Sequence, residues 1–185
     1  MWRPLIKNRL VWSASLMLII AVFVCIKISG TLPSDSALTQ NFLDHEAEFN
    51  KLLSMADENS DVVVIDSNFT LLKNRYVWPR PESELGFSRQ RWDEYRSLFK
   101  RLNIMGTMRR SDMTGVLFFT AKIKSNELDD YETELFEKGY VYSPGQLYPL
   151  AESLDNEDDV WPETTYKKLK GNWYLYYDRG ICKPE

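Results

Sequence analysis

The sequence predicts an α+β fold held to a membrane by one N-terminal helix. Three observations carry that expectation: one long uncharged run near the start, two later stretches with apolar residues at helical spacing, and several β-branched or aromatic runs that do not alternate regularly with helices. The expected organisation is a cytoplasmic N-terminus (1–9), a membrane span (10–29), a linker (30–35) and one extracytoplasmic domain (36–185).

The uncharged run is Leu10 to Ile26, LVWSASLMLIIAVFVCI, seventeen residues long. A bilayer core of about 30 Å needs roughly 17 to 25 apolar residues at 1.5 Å rise, so the run spans it with Lys27 reaching back to the interface. Arg3, Lys7 and Arg9 precede it and no acidic residue occurs before Asp35, so the charge bias keeps the N-terminus inside and sends the rest across. A cleaved signal peptide has a shorter apolar core and a small-residue cleavage site, whereas here Ile28-Ser29-Gly30 offers a bulky Ile. Cys25 as a lipid acceptor has Val24 before it, where a small residue is wanted. The anchor reading is therefore preferred to both.

Beyond Gly30 the chain has the size of one domain with a single core. Residues 31–185 hold 27 acidic and 19 basic side chains, a net of −8, which gives no bulk attraction for nucleic acid. Cys25 lies in the span and Cys182 near the end, so no disulfide forms within the domain. That suits the inner membrane and periplasm of a bacterium better than a disulfide-dense ectodomain.

The elements follow in order. Leu38, Phe42, His45, Phe49, Leu52 and Leu53 recur every three or four residues, predicting one amphipathic helix over Ser36 to Met55 capped by Asp35 or Ser36. Val62 to Ile65 reads as a buried strand. Ser67 to Phe87, with Pro79, Pro81 and Gly86, reads as a long loop. Ser88 caps a second helix whose apolar face is Trp92, Tyr95, Phe99 and Leu102 and whose remainder is basic. Ile104–Arg110 and Gly115–Lys124 form a hairpin around Ser111-Asp112, Asn126–Glu137 a short acidic helix, and Gly139–Ser143 a strand. Pro162 to Gly171 reads as a short helix ended by glycine, and Asn172 to Asp178 as a closing aromatic strand. The sum is an antiparallel or mixed sheet of about five strands with two main helices on one face.

Motifs of catalysis are sparse. His45 is the sole histidine, so two-histidine chemistry is excluded, and its place in the helix repeat marks a residue at the core edge. No G-x-S-x-G elbow or glycine-rich phosphate loop occurs, and Cys182 has no fixed base in view. Asp155 to Asp159 has acidic groups at alternate positions as a calcium loop does, but Val160 stands where the turn glycine belongs. No cofactor or metal is implied.

Charge segregation is the stronger signal. Lys73 to Arg110 carries ten basic against four acidic residues, and Ser125 to Glu163 twelve acidic against Lys138 alone. If the two blocks do not neutralise each other across the fold, they present faces of opposite sign. The acidic block holds Tyr131, Tyr148 and Trp161 among Asp155, Glu157, Asp158 and Asp159, a pattern that suits a protein partner because rings anchor and charge steers. The expected role is non-catalytic protein binding, for example as an immunity-type inhibitor of a periplasmic toxin. Its rivals are an envelope hydrolase using carboxylates beside the 67–87 loop, and a structural subunit whose Ser13, Ala14 and Ser15 pack against other membrane helices.

Overall fold

The computed structural model describes residues 31–66, 69–73, 75–77, 88–105, 108–110, 115–127, 133–156 and 164–182. The expected span at 10–29 and its flank at 1–9 lie outside the described residues, among which no helix is long and apolar enough to cross a membrane. Leu32–Glu185 forms one compact unit. It is α+β, with three helices and antiparallel strand pairing.

The expected single first helix is two: α1 (Asp35–Asp44) and α2 (Glu46–Glu58), broken at His45. The break has a local cause. His45 Nδ1 lies 3.0 Å from the Asn41 carbonyl, the acceptor its own backbone N–H would use in a helix, and that N–H turns to the Phe42 carbonyl instead. The cap is Ser34, whose hydroxyl accepts from the Ala37 N–H. Leu38 and Phe42 of α1 and Phe49, Leu52, Met55 and Ala56 of α2 are buried. Helix α3 (Arg89–Arg101) starts as expected at Ser88, which caps the Arg91 N–H, and buries Trp92, Tyr95, Leu98 and Phe99.

The strands are β1 (Val62–Ile65), β2 (Thr70–Leu72), β3 (Arg75–Val77), β4 (Met108–Arg110), β5 (Leu117–Glu127), β6 (Thr133–Tyr142), β7 (Thr165–Lys170) and β8 (Trp173–Cys182), paired in the order β3-β2-β1-β4-β5-β6-β8-β7. Among the described residues eight strands stand where five are expected. Two of the additions, β2 and β3, occupy the stretch read as a loop; the rest of that stretch, residues 67–68, 74 and 78–87, lies outside the described residues. The short acidic helix is also corrected: residues 126–127 end β5 and 133–137 begin β6. Most consequentially, the expected helix at 162–171 is strand β7. Gly171, at φ 56°, and Asn172 make a two-residue hairpin turn into β8, so the glycine that was read as a helix stop is a turn residue.

All three helices lie over one face of the sheet. There Leu117, Phe119, Phe136, Tyr140, Trp173, Leu175 and Tyr177 meet the apolar sides of α1, α2 and α3. Trp173 is the hub, with its ring 5.4–5.7 Å from those of Phe42, Phe49, Phe119 and Tyr142, and each such pair adds about 0.5–1.5 kcal/mol beyond burial. Tyr140 hydrogen-bonds the Leu38 carbonyl and accepts from Asn41, and burial pushes its phenol up to about 12. The opposite face carries a second cluster of Val116, Phe118, Val141, Leu147, Tyr166, Tyr174 and Tyr176. Burial on both faces explains why residues 139–142 of β6 and 173–177 of β8 read as continuous β-formers and not as clean alternation.

Candidate functional site

The chain leaving β6 places Tyr148, the most exposed described aromatic residue of the acidic block. Ser143 closes a tight turn by bonding the Gly145 carbonyl, and Leu147 enters the second core cluster. Pro149 and Ala151 then pair with the outer edge of β7: the Tyr166 N–H donates to the Pro149 carbonyl at 3.0 Å and the Ala151 N–H to the Tyr166 carbonyl at 2.8 Å. Leu154 is buried and fixes the far end. Between these fixed points Tyr148 and Leu150 stand out, 68% and 43% exposed. A ring and an aliphatic side chain on a segment held at both ends have little conformational entropy left to lose on contact with a partner.

Asp155 has a different position from the one its sequence context suggests. It belongs to a charge cluster that joins the start of α1 to the sheet. Lys138, on β6 and fully buried, places its Nζ 2.6 Å from Asp155 Oδ1 and 2.8 Å from Asp35 Oδ1. Asp35 Oδ2 accepts from the Leu154 N–H at 2.9 Å and from Lys167 of β7 at 3.0 Å, and the Asp35 N–H donates back to Asp155 at 2.8 Å. Two lysines thus face two carboxylates. Burial pushes the Asp35 carboxyl up, but hydrogen bonds from Lys138, the Leu154 N–H and Lys167 outweigh it and hold the group below its ordinary 3.8. Asp155 is therefore half-exposed and already paired.

A depressed carboxylate adds stability that is fully present above its unfolded value, here 3.8, and is lost as pH falls through the lower folded value. The Asp35→Asn variant is accordingly expected to lose stability less steeply than the wild type as pH drops below about 4. Urea unfolding at several pH values checks this. Parallel curves would contradict it.

The basic block shows where its charges go. Arg91 pairs with Glu58 and Glu94, Lys51 reaches Glu94, and Arg96 lies over the Trp92 ring and 3.8 Å from Asp93. Among the described residues no ion pair joins the 73–110 block to the 125–163 block. At the end of α3 an open groove of about 650 Å³ is lined by Arg96, Phe99, Lys100, Asn103, Ile104 and Met105.

The second face of the sheet holds two carboxylates. Glu137 and Asp178 are direct cross-strand partners on β6 and β8, which sets their Cβ atoms about 5 Å apart. Glu137 accepts from the hydroxyls of Thr120 and Tyr176, and Asp178 from that of Thr164. Among the described residues no three His, Cys, Asp or Glu side chains are grouped to hold a metal ion. Of the residues singled out in the sequence, Tyr148 is displayed, Asp155 is paired, and Tyr131, Glu157, Asp158, Asp159 and Trp161 lie outside the described residues. Leu150 and Glu152, both exposed beside Tyr148, were not anticipated. Comparison with protein-family models, with curated proteins and with solved structures finds no match to the chain.

Proposed function

We propose that the chain is a single-pass inner-membrane protein whose periplasmic domain binds another protein without catalysis. The observation that carries this reading is the pair Tyr148 and Leu150, exposed on a segment fixed by β7 and Leu154 inside an acidic block. Burying such side chains supplies on the order of 2 kcal/mol each, and the surrounding carboxylates steer a basic partner. An immunity-type inhibitor of a periplasmic toxin is one protein of this class, since it needs an anchor, one domain and a charged face. The partner it implies presents an apolar recess ringed by Lys and Arg.

The test is a crosslink and pull-down from intact envelopes, comparing the wild type with the Tyr148→Ser/Leu150→Ser variant. A stoichiometric protein partner that the variant loses is the expected result. Because Asp155 is part of the charge cluster, it is left intact; neutralising it would confuse binding with folding.

Glu137 and Asp178 favour the hydrolase reading as the runner-up, because as cross-strand partners they put two carboxylates side by side on one face of the sheet. Glycan cleavage by purified protein, lost in Glu137→Gln, would move the assignment there.

A further inference from the structure

The described residues include two exposed apolar pairs, and they differ in charge. Tyr148 and Leu150 stand beside Glu152, which is exposed and forms no ion pair among the described residues. Met105 and Ile123, 46% and 40% exposed, touch each other through the Ile123 N–H and the Met105 sulfur, at the rim of the groove that Arg96 and Lys100 line. Lys100 and Arg101 form no ion pair among the described residues, and the one carboxylate at the groove, Asp93, is taken up by Arg96. The groove is thus a cationic recess with an apolar floor, and the ridge is an anionic apolar projection.

The two cannot meet within one chain. The groove borders β5, where the Met105 N–H bonds the Thr120 carbonyl, while the ridge lies outside β7. Strands β6 and β8 separate them, so the gap is at least three strand spacings, about 14 Å.

We infer that the ridge of one copy docks in the groove of a second copy of this chain. This rests on the reading of the Tyr148–Leu150 ridge as a protein-binding surface and names its partner. Because ridge and groove are different surfaces, the contact is heterologous: it leaves one free groove and one free ridge on every dimer and propagates into a row or closes into a ring. Anchoring to one membrane keeps copies at high effective concentration, so a modest interface suffices.

The test uses the full chain in its membrane, with Cys25 and Cys182 changed to Ser. Two differently tagged copies are co-expressed, one carrying Ser97→Cys in the groove and the other Gln146→Cys beside the ridge, so that Tyr148, Leu150 and Met105 are kept, and mild oxidation is followed by non-reducing electrophoresis. Both positions are exposed and neither side chain carries a hydrogen bond among the described residues, so the changes leave the fold intact. The expected result is a mixed disulfide dimer that neither variant forms alone, with a yield lowered about tenfold by Lys100→Glu. Same-site dimers as strong as the mixed one, or no dimer at all, overturn the inference. If Gln146→Cys, with the ridge intact, instead captures a different protein, self-docking fails while protein binding at the ridge stands; if it captures no protein, both fail.

Discussion

Replacing Lys138 with Ala is expected to destabilise the protein by about 3–5 kcal/mol, the cost of leaving a buried carboxylate without its counter-ion. Lys138 is 1% exposed and Asp35 4%, and among the described residues the ammonium is the one cation that touches both Asp35 and Asp155. Lys167 remains on Asp35 Oδ2, but the buried Oδ1 has Lys138 Nζ, 2.8 Å away, as its partner among the described residues. For a domain of this size the loss corresponds to a melting temperature lower by about 10 °C or more. Adding Asp35→Asn to the Lys138→Ala variant removes the stranded charge and is expected to recover part of the loss. Denaturant unfolding of the single and double variants measures both. A Lys138→Ala variant within about 1 kcal/mol of wild type would mean that water solvates the cluster.

The second large effect is Gly139→Ala, expected to cost about 2–4 kcal/mol or to prevent folding. A Cβ on Gly139 would lie 2.3 Å from the Phe119 carbonyl oxygen and 2.9 Å from the Ala121 nitrogen, both backbone atoms of β5. Neither can swing aside as a side chain would. The approach occurs at the β-bulge between Thr120 and Lys122, where β5 bends onto β6, so the added methyl must prise apart two central strands of the sheet. Gly180→Ala is the control: it sits on β8 with nothing within 4 Å of its Cβ position. It is expected to change stability by no more than about 0.5 kcal/mol. Equal losses in the two variants would refute the steric account.

Helix α3 was legible because its cap, its apolar spacing and its length all agree. So were the β4–β5 pairing and the core of β8, where β-formers run unbroken. The errors have specific sources. Apolar spacing runs through His45 without a fault, because the break there comes from a side-chain contact to Asn41 that periodicity does not register. Strand β7 was missed because Lys167, Lys168 and Lys170 dilute its β-formers, although Gly171-Asn172 between two runs is itself a hairpin signal. Strands β2 and β3 are three residues each, too short to show a period.

At the candidate site, Tyr148 could be found as an aromatic residue in an acidic block. The pairing of Asp155 could not, since Asp35 is 120 residues away and Lys138 seventeen. Lys138 itself, the lone base in that block, was the visible trace: a single cation among twelve acids has a partner to choose, and the fold buries it between two of them.

Which molecules the Tyr148–Leu150 ridge can meet depends on the compartment that holds the domain. The deciding measurement is protease treatment of intact spheroplasts against inside-out vesicles, with the full chain detected by an antibody to residues 36–185. Digestion of the domain in spheroplasts and protection in inside-out vesicles is the predicted result. The reverse pattern places the domain in the cytoplasm and contradicts the account.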